Sequence, residues 1–139
     1  MVCRYVKWYD KLFFVYRSQL YDEYYNPASL EELKTFLSYW SYDVLPQLAY
    51  TPEAFDCDDF AFLFKALMVK YTRKNCCFFV VGRLYKGGEL LGGHAFNAVV
   101  AVGREVLFVE PQIGERLTAV DKRLRSPDGY EYEVLWILG

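Results

Sequence analysis

Apolar residues recur along this chain with two periods, and the change from one to the other divides it. Leu30, Leu33, Phe36, Leu37 and Trp40 fall three or four positions apart, the spacing that lines one face of an α-helix. Asn26-Pro27-Ala28 breaks the chain ahead of them, and Ser29 with Glu32 three residues on forms a capping-box signature. An amphipathic helix is therefore expected from Ser29 to about Trp40. Pro46 and Pro52 bracket an irregular stretch. From Phe55 to Thr72 the chain is apolar again, with Lys65 and Lys70 the only charges between Phe60 and Tyr71. A helix apolar on nearly every side is expected to be buried and central. Asp56, Asp58 and Asp59 in its first turn complement the positive end of its dipole, and Arg73 and Lys74 lie near the other end.

Beyond Lys74 the pattern changes. Cys77 to Val81, His94 to Val102, Glu105 to Glu110 and Tyr130 to Leu138 are rich in Val, Phe or Tyr and bounded by glycines, as strands are. Lys11 to Tyr16 reads equally as a strand or as part of a helix from Val6 to Leu20. Helices followed by a run of strands predict an α+β fold, with a buried central helix packed on an antiparallel β-sheet. At 139 residues the chain is expected to form one domain over residues 1–139. Residues 1–50 would give its leading segment and helix, and 51–139 its central helix and sheet.

Composition narrows the function. The chain is 54% apolar and 24% charged, which excludes intrinsic disorder. Sixteen Lys and Arg against 18 Asp and Glu leave a net charge of -2, so no basic footprint for nucleic acid exists. No apolar run approaches the roughly 18 residues of a membrane span, and Arg4, Lys7 and Asp10 interrupt the start where a secretory leader would be apolar. The four Cys, two of them the neighbours Cys76 and Cys77, do not suggest a disulfide scaffold. A cytoplasmic location is expected. Aromatics reach 19% with 13 Tyr, suited to an aromatic-lined groove or to self-association as a homodimer.

One His is present, so any imidazole chemistry has a single candidate. Cys57 sits at the start of the second helix, where the dipole favours a thiolate, while three flanking carboxylates oppose it. His94 follows Gly92-Gly93 and opens a strand; Glu110 ends the next strand, just before Pro111. Cys57, His94 and Glu110 thus have the order of a nucleophile, a base and the carboxylate that orients it. The other reading is a packed thiol and an imidazole satisfied by a backbone carbonyl. Strand register discriminates between them. A two-residue turn at Gly103-Arg104 would set Asn97 opposite Glu110, whereas a three-residue loop pairs Ala101 with Glu105 and brings His94 to the face of Glu110.

Phe55-Asp56-Cys57-Asp58-Asp59-Phe60, the run Gly93 to Val99, and Glu110-Pro111-Gln112 together resemble the papain-like C-terminal domain of the Marasmius oreades agglutinin. The likeness spans roughly Tyr50 to Gln112, and Tyr24-Tyr25-Asn26-Pro27 looks like that family's leading segment. The resemblance implies a papain-like fold and a cysteine peptidase with Cys57, His94 and Glu110 as its catalytic triad. A peptide or protein would be its substrate and bound calcium or manganese its activator. On this view Asp56, Asp58 and Asp59 would hold the cation, whose charge offsets theirs; helix capping explains the same carboxylates without a metal. The Cys57 N–H, with Gln47 or Gln112, would meet an oxyanion, and Asn97 would be a support residue. Two alternatives stand beside this hydrolase: a transglutaminase-like acyl transferase and a non-catalytic dimerising module. The glycine-rich stretch Gly82 to Gly93 reads as a mobile hairpin at the edge of the cleft.

Overall fold

A computed structural model of the chain describes residues 17–19, 22, 24–103 and 105–139. The ambiguous segment Lys11 to Tyr16 lies outside the described residues. The first predicted helix is present as α1 (Leu30–Tyr39), capped as expected. Ser29 Oγ accepts from the Glu32 N–H and the Glu32 carboxylate accepts from the Ser29 N–H, both at 3.0 Å. A π-helical turn (Trp40–Val44) and a short 3-10 turn (Leu45–Gln47) carrying Pro46 end it. The second helix, α2 (Cys57–Thr72), closes on Arg73 in the left-handed conformation.

Among the described residues the sheet has seven strands, in chain order β1 (Arg17–Gln19), β2 (Cys77–Lys86), β3 (Glu89–Ala101), β4 (Glu105–Glu110), β5 (Glu115–Val120), β6 (Arg123–Arg125) and β7 (Tyr130–Leu138). The order is β1-β7-β2-β3-β4-β5-β6, and β6 also pairs with β7. Strands β2 to β7 therefore close into a six-stranded antiparallel barrel, to which β1 adds in parallel on β7. Closure leaves those strands without an open edge.

This corrects the expected α+β, papain-like arrangement. The strands that complete the barrel, β5 and β6, are polar and largely exposed, so no apolar alternation announces them. Without them the remaining strands read as an open sheet that needs a helix for its core. The barrel supplies its own core instead: Phe78, Val80, Phe96, Ala98, Val100, Phe108, Leu124 and Val134 fill it from successive strands. The alternate positions Cys77, Val99 and Val109 point outward and pack under the helices with Phe36, Trp40, Phe60, Phe64 and Met68. Accordingly α2 is not a central helix. It buries Phe60, Ala61, Phe64 and Met68 against the barrel, while Phe62 and Tyr71 are 54% and 48% exposed.

The glycine-rich stretch is ordered strand and turn. Gly87 and Gly88 have φ of 58° and 81°, the positive values that a two-residue hairpin turn between twisted strands requires. Gly82 marks a register shift between β2 and β7, where an added Cβ would sit 2.1 Å from the Glu133 carbonyl oxygen.

Candidate functional site

The β3–β4 ladder runs from Ala101↔Glu105 to Asn97↔Val109, the register expected of a three-residue connection. Side chains alternate along each strand, so His94 and Glu110 share the inner face with Phe96 and Phe108 and emerge together at one end of the barrel. His94 Nε2 and Glu110 Oε2 lie 2.5 Å apart, with 9% and 4% of their side chains exposed. The other carboxylate oxygen of Glu110 accepts from the Gln112 N–H at 3.1 Å. Trp40, fully buried, donates its indole N–H to the Pro111 carbonyl at 2.8 Å, which fixes the turn leaving Glu110. The indole thus links the π-helical turn to the site.

Cys57 opens α2 and packs against the cluster of Ala61, Phe79 and Ala95. Its thiol lines the same cleft as His94 and bears on the imidazole's pKa. Burial pulls the imidazole pKa down, but the bonds to Cys57 and Glu110 and the charge of both outweigh it, leaving the pKa raised to about 9. Burial pushes the thiol of Cys76 up and that of Cys77 well above its ordinary range. Tyr132, on β7, packs its ring 5.6 Å from His94 and 5.3 Å from Phe96. Burial and a hydroxyl bond to Glu110 hold its phenol protonated. No sequence pattern marked this tyrosine, because it sits among ordinary core residues of β7.

A cleft of about 470 Å³ opens above these groups. Tyr50, Tyr130 and Tyr132 line it with Leu84, Leu91, Ile113 and the polar Gln112 and Asp128. Of the expected supporting residues, Gln112 reaches the cleft. Gln47 does not: its amide donates to the Asp43 carbonyl of the preceding π-helical turn, outside the cleft lining. Asn97 lies on the opposite face of β3 from His94, so it cannot orient the imidazole. It donates instead to the carbonyls of Ala61 and Phe78, at 3.0 and 3.1 Å.

The three aspartates separate by role. Asp59 reaches back to the Asp56 N–H at 3.3 Å and caps α2. Asp58 hydrogen bonds Asp56, and this bond, burial and the charge of Asp56 raise its pKa. Ligand atoms of Asp56, Cys57 and Asp58 lie within 4.8 Å of one another.

The family described as Agglutinin C-terminal matches residues 25–116, well over half of the chain. This chain belongs to that family. Among solved structures, the PSL1a–E64 complex has this fold, with a TM-score of 0.68 at 24% identity over 99% of this chain and 48% of that one. Polyporus squamosus lectin bound to the human-type influenza-binding epitope Neu5Aca2-6Galb1-4GlcNAc has a TM-score of 0.60 at 27% identity. That match covers 88% of this chain and 42% of the lectin. The chain thus spans about half the length of the structures it resembles. None of the curated proteins matches it.

These likenesses correct the functional expectation. The family match gives the domain an agglutinin-like assignment rather than that of a cysteine hydrolase, thiol protease or transglutaminase-like enzyme. The ligand bound to the Polyporus squamosus lectin is a glycan, not a peptide. The error has a physical source. Aligned thiol, imidazole and carboxylate are a chemical capacity, and three motifs do not specify what the cleft above them retains.

Proposed function

We propose that this domain is a carbohydrate-binding, agglutinin-type module and that the cleft over His94 and Glu110 is its ligand site. The observation that carries the reading is the lining. Tyrosine rings at Tyr50 and Tyr130 stand beside Gln112, Asp128 and Glu110. A sugar ring offers an apolar face and a rim of hydroxyls, and amphipathic tyrosines with planar acceptors and donors match both. The volume suits a small oligosaccharide segment. Family membership and the glycan held by the Polyporus lectin support the same ligand class. The test is a titration with Neu5Aca2-6Galb1-4GlcNAc and a panel of neutral glycans, followed through the NMR signals of His94, the one imidazole in the chain. A saturable shift that Tyr130→Ala and Gln112→Ala abolish is expected. Binding that survives both variants, or no shift with any glycan, overturns the assignment.

A second reading concerns the thiol, and the placing of Cys57 beside the hydrogen-bonded His94–Glu110 pair in one cleft favours it. An imidazolium held beside sulfur by a buried carboxylate activates a thiol toward electrophiles. Cys57 is then the reactive thiol of the cleft. Iodoacetamide at pH 6 should alkylate it faster than free cysteine, and His94→Ala should remove the advantage. E64, solved in complex with PSL1a, is a second probe to be scored by mass at Cys57. Equal rates for Cys57 and free cysteine refute this reading.

The carboxylates beside that thiol support a metal as well. Asp56 and Asp58 would hold calcium or manganese, because two acids crowded enough to raise the pKa of Asp58 are relieved by a hard divalent cation. Asp59 lies outside the cluster that Asp56, Cys57 and Asp58 form and drops out of the proposed set. Bound there, the cation would supply positive charge at the start of α2.

A further inference from the structure

The geometry points to Asn97 as a positioning residue: its amide clamps α2, one helical turn in from Cys57, at the height over β3 that brings Cys57 to His94. This inference rests on the reactive-thiol reading above. Asn97 is wholly buried and stands three residues beyond His94 on β3. Strand alternation sends His94 to the inner face and Asn97 to the outer one, so a single rigid strand sets both groups. The two amide hydrogens of Asn97 go to different elements, the Ala61 carbonyl of α2 at 3.0 Å and the Phe78 carbonyl of β2 at 3.1 Å. Ala61 lies one helical turn from Cys57 and is itself fully buried. Its methyl group has no reach with which to fix the height of the helix.

The remaining atom of the amide makes the point sharper. Asn97 Oδ1 is buried and has no hydrogen-bond partner, an arrangement less favourable than an apolar side chain of the same shape. An asparagine that only filled this space would be a poor choice. The amide instead provides two directed donors at the junction of α2, β2 and β3, where a small displacement of the helix separates sulfur from imidazole.

Asn97→Leu separates the two roles. It keeps the branched shape at a larger volume, removes the unpaired oxygen and deletes the clamp, so its thermal midpoint should fall no further than that of Met68→Ala. Alkylation of Cys57 by iodoacetamide at pH 6 should nonetheless slow by about tenfold or more, as expected when reacting groups are displaced by a fraction of an ångström. Met68→Ala, at the far end of α2, serves as a control that loses stability while keeping the rate. A fast wild type with an equally fast Asn97→Leu overturns the inference and leaves the reactive thiol standing; a slow wild type removes the thiol reading itself. Slowing in Met68→Ala as well would show general loosening and also refute the clamp. If Asn97→Leu does not fold, Asn97→Ser, which can bond one carbonyl, should give an intermediate rate, and an unchanged rate counts against the proposal.

Discussion

His94 is the residue at which burial and function meet. Its pKa is raised to about 9 against an ordinary 6.5, so the folded protein holds a proton that the unfolded chain releases. The associated stability is fully present below pH 6.5 and is lost as pH rises through about 9. Thermal melting across that window should show a decline that His94→Gln flattens; parallel curves for both proteins would contradict the raised pKa. Tyr132 belongs to the same scale. Its hydroxyl shares the charge of Glu110, so Tyr132→Phe should concentrate that charge on the imidazole and raise the NMR titration midpoint of His94 further. Gly82 carries a different constraint. A Cβ there meets the Glu133 carbonyl oxygen at 2.1 Å, and Gly82→Ala should cost about 1–3 kcal/mol in urea unfolding. A loss near zero would mean that the bulge yields.

Among the elements, the start of α2 is where stability and metal affinity oppose each other. Asp59 caps the helix, and Asp59→Ala should destabilise by about 1 kcal/mol. Asp58 behaves oppositely, because its neighbour Asp56 raises its pKa and disfavours its charge. Asp58→Asn should therefore hold or raise the metal-free melting temperature. It should also abolish any increase that millimolar calcium or manganese gives the wild-type protein through linkage. An unchanged wild-type melting temperature with either metal would return Asp56 and Asp58 to plain helix-terminal roles. The first helix needs no such argument. Ser29 and Glu32 make the reciprocal cap that their spacing predicts, since a capping box involves residues three apart and little else.

At the scale of the molecule, closure of the barrel depends on its least conspicuous strands. β6 has three residues, and of these Leu124 is buried in the core while its neighbours face outward. Leu124→Ala should cost about 2–5 kcal/mol by cavity formation. Amide exchange should then accelerate along β5 and β6 before the β2–β3 hairpin, because those strands join the barrel through short ladders. Uniform acceleration across every strand would show that closure is not the weak point.

What the sequence determined by itself is local. The cap of α1, the bounds of β4 and β7, and the order of Cys57, His94 and Glu110 follow from spacing, capping chemistry and alternation within short windows. Register was also legible, because a three-residue connection fixes which faces of β3 and β4 coincide. The tertiary structure decided everything that needed distant segments to meet. Two polar strands with little apolar alternation turned an apparent sheet into a barrel and displaced α2 from the centre to the outside. The same closure put Tyr132 of β7 against His94 of β3 and turned Asn97 toward the helix rather than the imidazole. A short, exposed strand is stabilised by the neighbours it bridges, and that energy is absent from its own sequence.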